Sequence, residues 1–131
     1  MDLYKQYKTD EKKEVEGIWV PLSATARIKV ARMGNPRYRD CIKRLSSPYR
    51  VAGINDQIPP EVYQQMVREA VAETILVDWE GLTSDGDPVP YTRDKALVFC
   101  TDLKDFYDFV LTAASSMETF RMNGQAVLEK N

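Results

Sequence analysis

The sequence contains no histidine and only two cysteines, Cys41 and Cys100. Without histidine, the chain lacks the side chain that most often serves as a general base or a metal ligand. The two cysteines do not have metal-ligand spacing, and we expect both to be buried free thiols. These absences argue against an enzyme, and we expect no catalytic residues, no cofactor and no metal site.

Long apolar runs are also absent. No stretch approaches the roughly 20 apolar residues that a membrane-spanning helix needs, and the polar N-terminus has no apolar segment of the kind found in secretory signals. A chain of 131 residues with a balanced composition is long enough to bury one core. The sequence therefore predicts one globular domain without a membrane span.

Period-two alternation predicts a β-hairpin near the N-terminus. In "ARIKV" apolar and basic residues alternate from Ala26 to Val30, and in "GIWV" apolar residues flank Trp19. A short polar turn, Ser23 to Thr25, separates the two runs. We place the hairpin at residues 15–32 and a flexible N-terminal arm at residues 1–13.

The rest of the chain has mainly helical spacing. Asn35 and Pro36 have the residue types of a helix N-cap and first turn, and apolar residues recur three and four apart after Pro60. We predict helices at about 36–45, 60–77, 92–100 and 102–121, followed by a C-terminal tail at 122–131. The predicted fold class is α+β: a predominantly helical single domain, residues 14–121, with a small N-terminal β-hairpin.

Positive charge is concentrated between Arg27 and Arg50. This segment holds eight lysines and arginines and one acidic residue, Asp40, so it carries +7 in a chain whose net charge is −2. One explanation is nucleic-acid binding, with Tyr38 and Tyr49 as stacking platforms, although the pI of about 5.2 argues against it. The alternatives are pairing with the acidic remainder of the chain and binding of an acidic protein surface, including that of a second copy.

Several short motifs follow one another in a characteristic order. They are a Gly-x-Trp hairpin in "VEGIWVPL", the break "ARMGN", a basic helix, the aliphatic-x-x-Trp-x-Gly segment "ILVDWEG", a Pro-Tyr turn, and a last helix ending near Phe120 and Arg121. In this order, over residues 15–121, the chain resembles the tail assembly chaperones of long-tailed (siphovirus-type) bacteriophages. The resemblance implies a mainly helical fold with a small β element.

The resemblance also implies a non-catalytic function. Such chaperones bind the tape measure protein, keep it soluble, and help to recruit tail tube subunits in the host cytoplasm without remaining in the mature virion. A surface that binds a long amphipathic helix would use exposed aromatic side chains beside complementary charge. Our candidate partner-binding residues are therefore Trp19, Arg32, Arg37, Arg39, Trp79 and Tyr91. For Trp79, which follows an aliphatic run, the alternative is a position in the core.

One further expectation and two alternative functions accompany this interpretation. Glu129, Lys130 and Asn131 can be encoded by a slippery sequence, so a longer product could arise by ribosomal frameshifting and contact the tail tube protein. The alternative function is a structural tail or head–tail completion protein of the virion. A small nucleic-acid-binding regulator is a further alternative, which would require affinity that falls steeply with salt.

Overall fold

A small antiparallel sheet packs one face against the helices of the domain. The computed structural model describes residues 1–51, 58–116 and 120–121. The helices within these ranges are α1 (Leu3–Tyr7), α2 (Glu11–Glu16), α3 (Pro36–Val51), α4 (Pro60–Thr74), α5 (Arg93–Asp102) and α6 (Lys104–Ser115). The strands are β1 (Ile18–Pro21), β2 (Arg27–Val30), β3 (Leu76–Glu80), β4 (Thr83–Ser84) and β5 (Asp87–Pro88).

Strands β1 and β2 form the predicted N-terminal hairpin. Their register pairs Trp19 with Lys29 and Val20 with Ile28. The alternation seen in the sequence is the alternation of the two faces, since Val20 and Ile28 are buried while Trp19 and Lys29 lie on the outer face. The hairpin and the predominantly helical remainder confirm the predicted α+β fold class.

The third strand of this sheet, β3, replaces the end of a predicted helix. The helix expected at 60–77 ends at Thr74, and β3 pairs antiparallel with β2 in the order β1-β2-β3. A bulge lies at Val77, because Lys29 pairs with Asp78 whereas Val30 pairs with Leu76. The bulge turns both Leu76 and Trp79 into the core, so their spacing of three residues resembles helical periodicity.

Helix α3 is longer than the predicted helix at 36–45. It continues through Pro48 to Val51, although proline lacks the backbone N–H of a helical hydrogen bond. Near this position, the carbonyl of Lys43 accepts hydrogen bonds from Ser46 Oγ and Arg50 Nη2. Side chains therefore provide polar partners for the backbone close to the proline.

The last two helices also differ from the predicted bounds. Helix α5 was expected at 92–100 and occupies Arg93–Asp102, because Thr92 is its N-cap and accepts from the N–H of Lys95. Helix α6, expected at 102–121, begins at Lys104 and ends at Ser115, with Leu103 as the residue between the two helices. The predicted tail at 122–131 lies outside the described residues.

The segment 1–13, expected to be a flexible arm, contains α1 and the beginning of α2. Asp2 and Asp10 are the N-caps, and each carboxylate accepts from two backbone N–H groups in the following turn. The backbone N–H of Asp10 also donates to the carbonyl of Phe120, and Thr9 forms a β-bridge with Arg121. The end of the segment is therefore held against the opposite end of the described chain.

The core lies between the inner face of the sheet and helices α4, α5 and α6. Its members share nearly complete burial and include Ile28, Val30, Val71, Ile75, Leu76, Trp79, Ala96, Cys100, Val110, Ala114 and Phe120. Both cysteines are buried and free, as the sequence predicted. No described helix is long and apolar enough to span a membrane.

Candidate partner-binding surfaces

Part of the basic segment is neutralised within the molecule. Arg27 pairs with Glu80 at 2.8 Å, Arg32 with Glu14 at 3.0 Å, and Arg44 with Glu73 at 2.6 Å. Each carboxylate comes from outside the segment. Pairing with the acidic remainder of the chain, one of the three explanations offered for the charge, therefore accounts for three of its eight cations.

Arg32 is a linking residue rather than a free cation. Its guanidinium donates to Glu14 at 3.0 Å and to the Thr9 hydroxyl at 3.3 Å, and Thr9 in turn donates to Glu14. The backbone N–H of Arg32 donates to the Glu14 carbonyl at 2.8 Å. These contacts attach α2 to the end of β2, so Arg32 is better placed to hold the N-terminal helices than to bind a partner.

A basic stripe remains exposed on α3. Arg39, Lys43 and Arg50 lie four and seven residues apart and therefore share one side of the helix. All three are exposed, and none forms an ion pair with the described residues. We call these three residues the α3 basic stripe. Arg37 is also exposed and lies on a different side of the helix.

The two tyrosines of the basic segment do not belong to this stripe. Tyr38 is half-buried against the core, and burial, followed by the neighbouring Tyr63 and Tyr107 hydroxyls, raises its pKa to about 12. Tyr49 lines a groove between α3 and α4 together with Val62 and Met66. Both rings therefore lie off the side of α3 that carries Arg39 and Lys43, whereas a stacking platform for nucleic-acid bases would share that side.

Trp19 lies on the outer face of the hairpin beneath two cations. The Arg27 guanidinium carbon lies 4.0 Å from the Trp19 ring centroid, and Lys29 Nζ lies 5.7 Å from it. The pairing of Trp19 with Lys29 across the hairpin produces this arrangement. The ring is half-buried, so Trp19 retains an accessible edge next to positive charge.

Trp79, another candidate, belongs to the core, and Tyr91, a further candidate, packs against the core. Trp79 is 4% exposed, its Nε1–H donates to the Val89 carbonyl at 2.7 Å, and its ring contacts Tyr91 and Phe99. Tyr91 is half-buried, and its hydroxyl donates to the Leu76 carbonyl at 2.7 Å. Both side chains thus take part in the packing of β3, and the expectation that they contact a partner stays a prediction.

A groove between α1 and α2 was not anticipated from the sequence. It has a volume of about 970 Å³, and its lining consists of Leu3, Tyr4, Tyr7, Lys8, Thr9, Asp10, Glu11, Lys12 and Glu14. Leu3 is 62% exposed, Tyr4 81% and Tyr7 52%, and α1 buries none of its residues. We call this feature the N-terminal groove. The signal in the sequence was Leu3 and Tyr7 at i and i+4 after an N-capping Asp2.

Acidic residues gather where α5 meets α6. Asp102, Asp105 and Asp108 are exposed there, and Leu103 and Phe109 among them are 49% and 37% exposed. Asp108 accepts from Lys104 at 3.2 Å, whereas Asp102 and Asp105 form no ion pair with the described residues. We call the three aspartates the α5–α6 acidic corner.

One cluster of titratable groups outside these surfaces links three helices. Glu73 accepts from Arg44 at 2.6 Å and from Arg93 at 2.8 Å, joining α3, α4 and α5. Hydrogen bonds from the Cys41 thiol and these arginines lower the pKa of Glu73. Burial raises the pKa of Cys41, and that of Cys100 to about 11, so neither thiol is activated as a nucleophile. The described residues include no metal-binding group of three or more acidic or cysteine side chains.

Comparison with protein families identifies the origin of the chain. The family described as YdaY prophage protein matches residues 33–131. Because the match takes in three quarters of the sequence, the chain belongs to this family and is a protein of prophage origin. The match includes α3 to α6 and β3, whereas α1, α2 and the hairpin precede it. No curated protein and no solved structure gives a significant match.

Proposed function

We propose that this prophage protein is a tail assembly chaperone that binds the tape measure protein, keeps it soluble and helps to recruit tail tube subunits. Two lines of reasoning support the proposal. The ordered motifs over residues 15–121 resemble those of tail assembly chaperones, and the family match places the chain in a prophage. The protein acts without catalysis or a cofactor, in the host cytoplasm, and is absent from the mature virion.

The structural feature that supports the proposal most directly is the N-terminal groove. Leu3, Tyr4 and Tyr7 present apolar surface to solvent on a helix that buries no residue of its own. An amphipathic helix can bury its apolar stripe against such side chains. Tyrosine contributes large contact area and also a hydroxyl that hydrogen-bonds at the wet margin of an interface.

Charges of both signs border the groove and suit a helical ligand. Lys8 and Lys12 lie among Asp10, Glu11 and Glu14. A bound helix with mixed charge beside its apolar stripe finds partners at this margin, which sets orientation more than affinity. Shielding of the apolar stripe keeps an aggregation-prone helix soluble until the tail tube forms around it.

Co-expression with the tape measure protein of the same prophage tests the proposal. We expect the wild-type chain to move the tape measure protein from the insoluble to the soluble fraction and to co-purify with it. The double variant Tyr4→Ser, Tyr7→Ser should lose this effect because it removes the aromatic surface of α1. As a matched control, Tyr63→Ser removes a tyrosine that is 48% exposed on α4 and should retain it.

The outcomes distinguish an error in the proposed function from an error in the proposed binding surface. If the wild-type chain leaves the tape measure protein insoluble and appears in purified phage particles, the protein is a structural tail or head–tail completion protein instead. If the wild-type chain solubilises the tape measure protein and the groove variant does so equally well, the chaperone function stands and the groove is not its binding surface.

We also propose a longer product made by ribosomal frameshifting, through which the tail tube protein is recruited. Expression of the native gene with its downstream DNA and an N-terminal tag should yield a minor, longer tagged product. Mass spectrometry should find peptides that cross from Lys130 and Asn131 into another reading frame. A single tagged product would contradict the proposed frameshifted form and would leave the proposed binding of the tape measure protein unchanged.

A further inference from the structure

We infer that the protein self-associates by placing the α3 basic stripe of one copy against the α5–α6 acidic corner of another. The stripe consists of Arg39, Lys43 and Arg50. The corner consists of Asp102, Asp105 and Asp108. Each surface consists of three exposed side chains of one charge sign, of which Asp108 alone pairs within the described chain, with Lys104.

The internal ion pairs define which charges remain for a partner. Arg27, Arg32 and Arg44 are already paired with carboxylates of the same chain. The α3 basic stripe has no such carboxylate among the described residues, and neither Asp102 nor Asp105 has a cation. Positive charge at the stripe and negative charge at the corner thus lie on two separate parts of the molecular surface, although the net charge of the whole chain is only −2.

Exposed apolar side chains at the acidic corner add contact area. Leu103 lies between Asp102 and Asp105, and Phe109 lies one helical turn after Asp105 on the same side of α6. These side chains are 49% and 37% exposed, respectively. The aliphatic stems of Arg39 and Lys43 can cover such surface while their charged ends reach the aspartates.

A second copy is favoured over nucleic acid as the occupant of the basic stripe. Tyr38 and Tyr49 lie on the sides of α3 that face the core and α4, so the stripe has no aromatic ring for base stacking. The complementary surface is present on every copy at the same concentration. Charge pairing of this kind orients the two copies and makes their association sensitive to salt.

Charge-swap complementation provides the experiment. One variant carries Arg39→Glu and Lys43→Glu, and the other carries Asp102→Lys and Asp105→Lys. In about 20 mM salt, where screening is weak, the wild-type chain should form species of at least twice the 15.0 kDa monomer mass by light scattering. Each variant alone should be monomeric, and an equimolar mixture of the two should associate again.

Two controls make the result specific. The variant Lys5→Glu, Lys12→Glu changes the net charge by the same amount as Arg39→Glu, Lys43→Glu does. Its substitutions lie on exposed residues of α1 and α2, so it should associate like the wild type. Raising the salt to about 0.5 M shortens the screening length to a few ångströms and should return the wild type to the monomer. The salt series needs no substitution, so it tests the inference even if a variant does not fold.

Three results would overturn the inference. The first is a wild-type chain that remains monomeric in low salt at the highest soluble concentration. The second is a charge-reversed variant that associates alone as well as the wild type does. The third is salt-sensitive binding of a labelled DNA duplex by the basic stripe of a monomeric chain, which would identify nucleic acid as its ligand.

Discussion

The backbone N–H of Asp10 donates a hydrogen bond to the carbonyl of Phe120 at 3.1 Å. This contact joins the N-cap of α2 to a fully buried aromatic residue that follows α6 in the chain. Since Asp10 also lines the N-terminal groove, one wall of the groove is anchored to the core. The exposed aromatic residues of α1 therefore lie beside a groove wall that is anchored to the core.

The two tryptophans should differ sharply in their effect on stability. Trp79→Ala removes a buried ring and its hydrogen bond to Val89, and should lower the free energy of unfolding by about 3–5 kcal/mol. Trp19→Ala removes a half-buried ring and its contact with the Arg27 guanidinium, and should cost about 1 kcal/mol. Urea denaturation followed by circular dichroism measures both. Equal losses would contradict the assignment of Trp79 alone to the core.

Gly81, which directly follows β3, should tolerate substitution poorly. It has φ +81°, and a Cβ placed on it would lie 2.0 Å from the carbonyl oxygen of Thr25. We expect Gly81→Ala to lower the free energy of unfolding by more than about 4 kcal/mol or to prevent folding. Gly34, with φ +79° and no atom within 4 Å of such a Cβ, is the matched control. Gly34→Ala should cost only the backbone strain, about 1–2 kcal/mol.

Glu73 should make stability depend on pH in the acid range. Its pKa is lower in the folded chain than its ordinary value of 4.5, because the folded state holds the carboxylate with Cys41, Arg44 and Arg93. The stabilisation is present above 4.5 and is lost as the pH falls through the lowered folded-state pKa. Glu73→Gln should therefore be less stable than the wild type near neutrality, and the difference should shrink in acid. A constant difference at every pH, measured by chemical denaturation, would rule this out.

The two thiols should be unreactive in the native protein. Burial removes access to Cys41 and Cys100 and raises the pKa of both, to about 11 for Cys100. Ellman's reagent at about pH 8, where an ordinary thiol is partly ionised, should label neither side chain until the chain is unfolded. Rapid labelling of either cysteine without denaturant would show that its surroundings open. Cys41→Ser and Cys100→Ser assign any observed signal to one residue.

The hairpin could be predicted from sequence because its period of two coincides with its two faces. Strand β3 could not, because the bulge at Val77 places Leu76 and Trp79 on the same face at a spacing of three. That spacing continues the pattern of α4, and no glycine or proline separates the two elements. Helical periodicity therefore predicts a helix as far as residue 77, and only the aliphatic run before Trp79 indicates that its ring is buried.

The binding surfaces were less predictable than the fold because charge pairing acts across long sequence separations. Arg27 meets Glu80 and Arg44 meets Glu73, and neither carboxylate has any periodic relation to its arginine. Sequence therefore identifies the excess charge but not the subset left exposed. The N-terminal groove was missed for a related reason, since residues 1–13 have too few apolar positions to indicate where α1 lies relative to α2.

The β-bridge between Thr9 and Arg121 has a consequence for any extension of the chain. Arg121 lies beside Thr9, which lines the N-terminal groove, and any chain of ten residues spans at most about 36 Å when fully extended. In the proposed frameshifted product, a domain appended after Asn131 would therefore lie within about that distance of Thr9. Two ligands held by the groove and by such a domain would be neighbours, and their effective concentration for each other would be set by this tether.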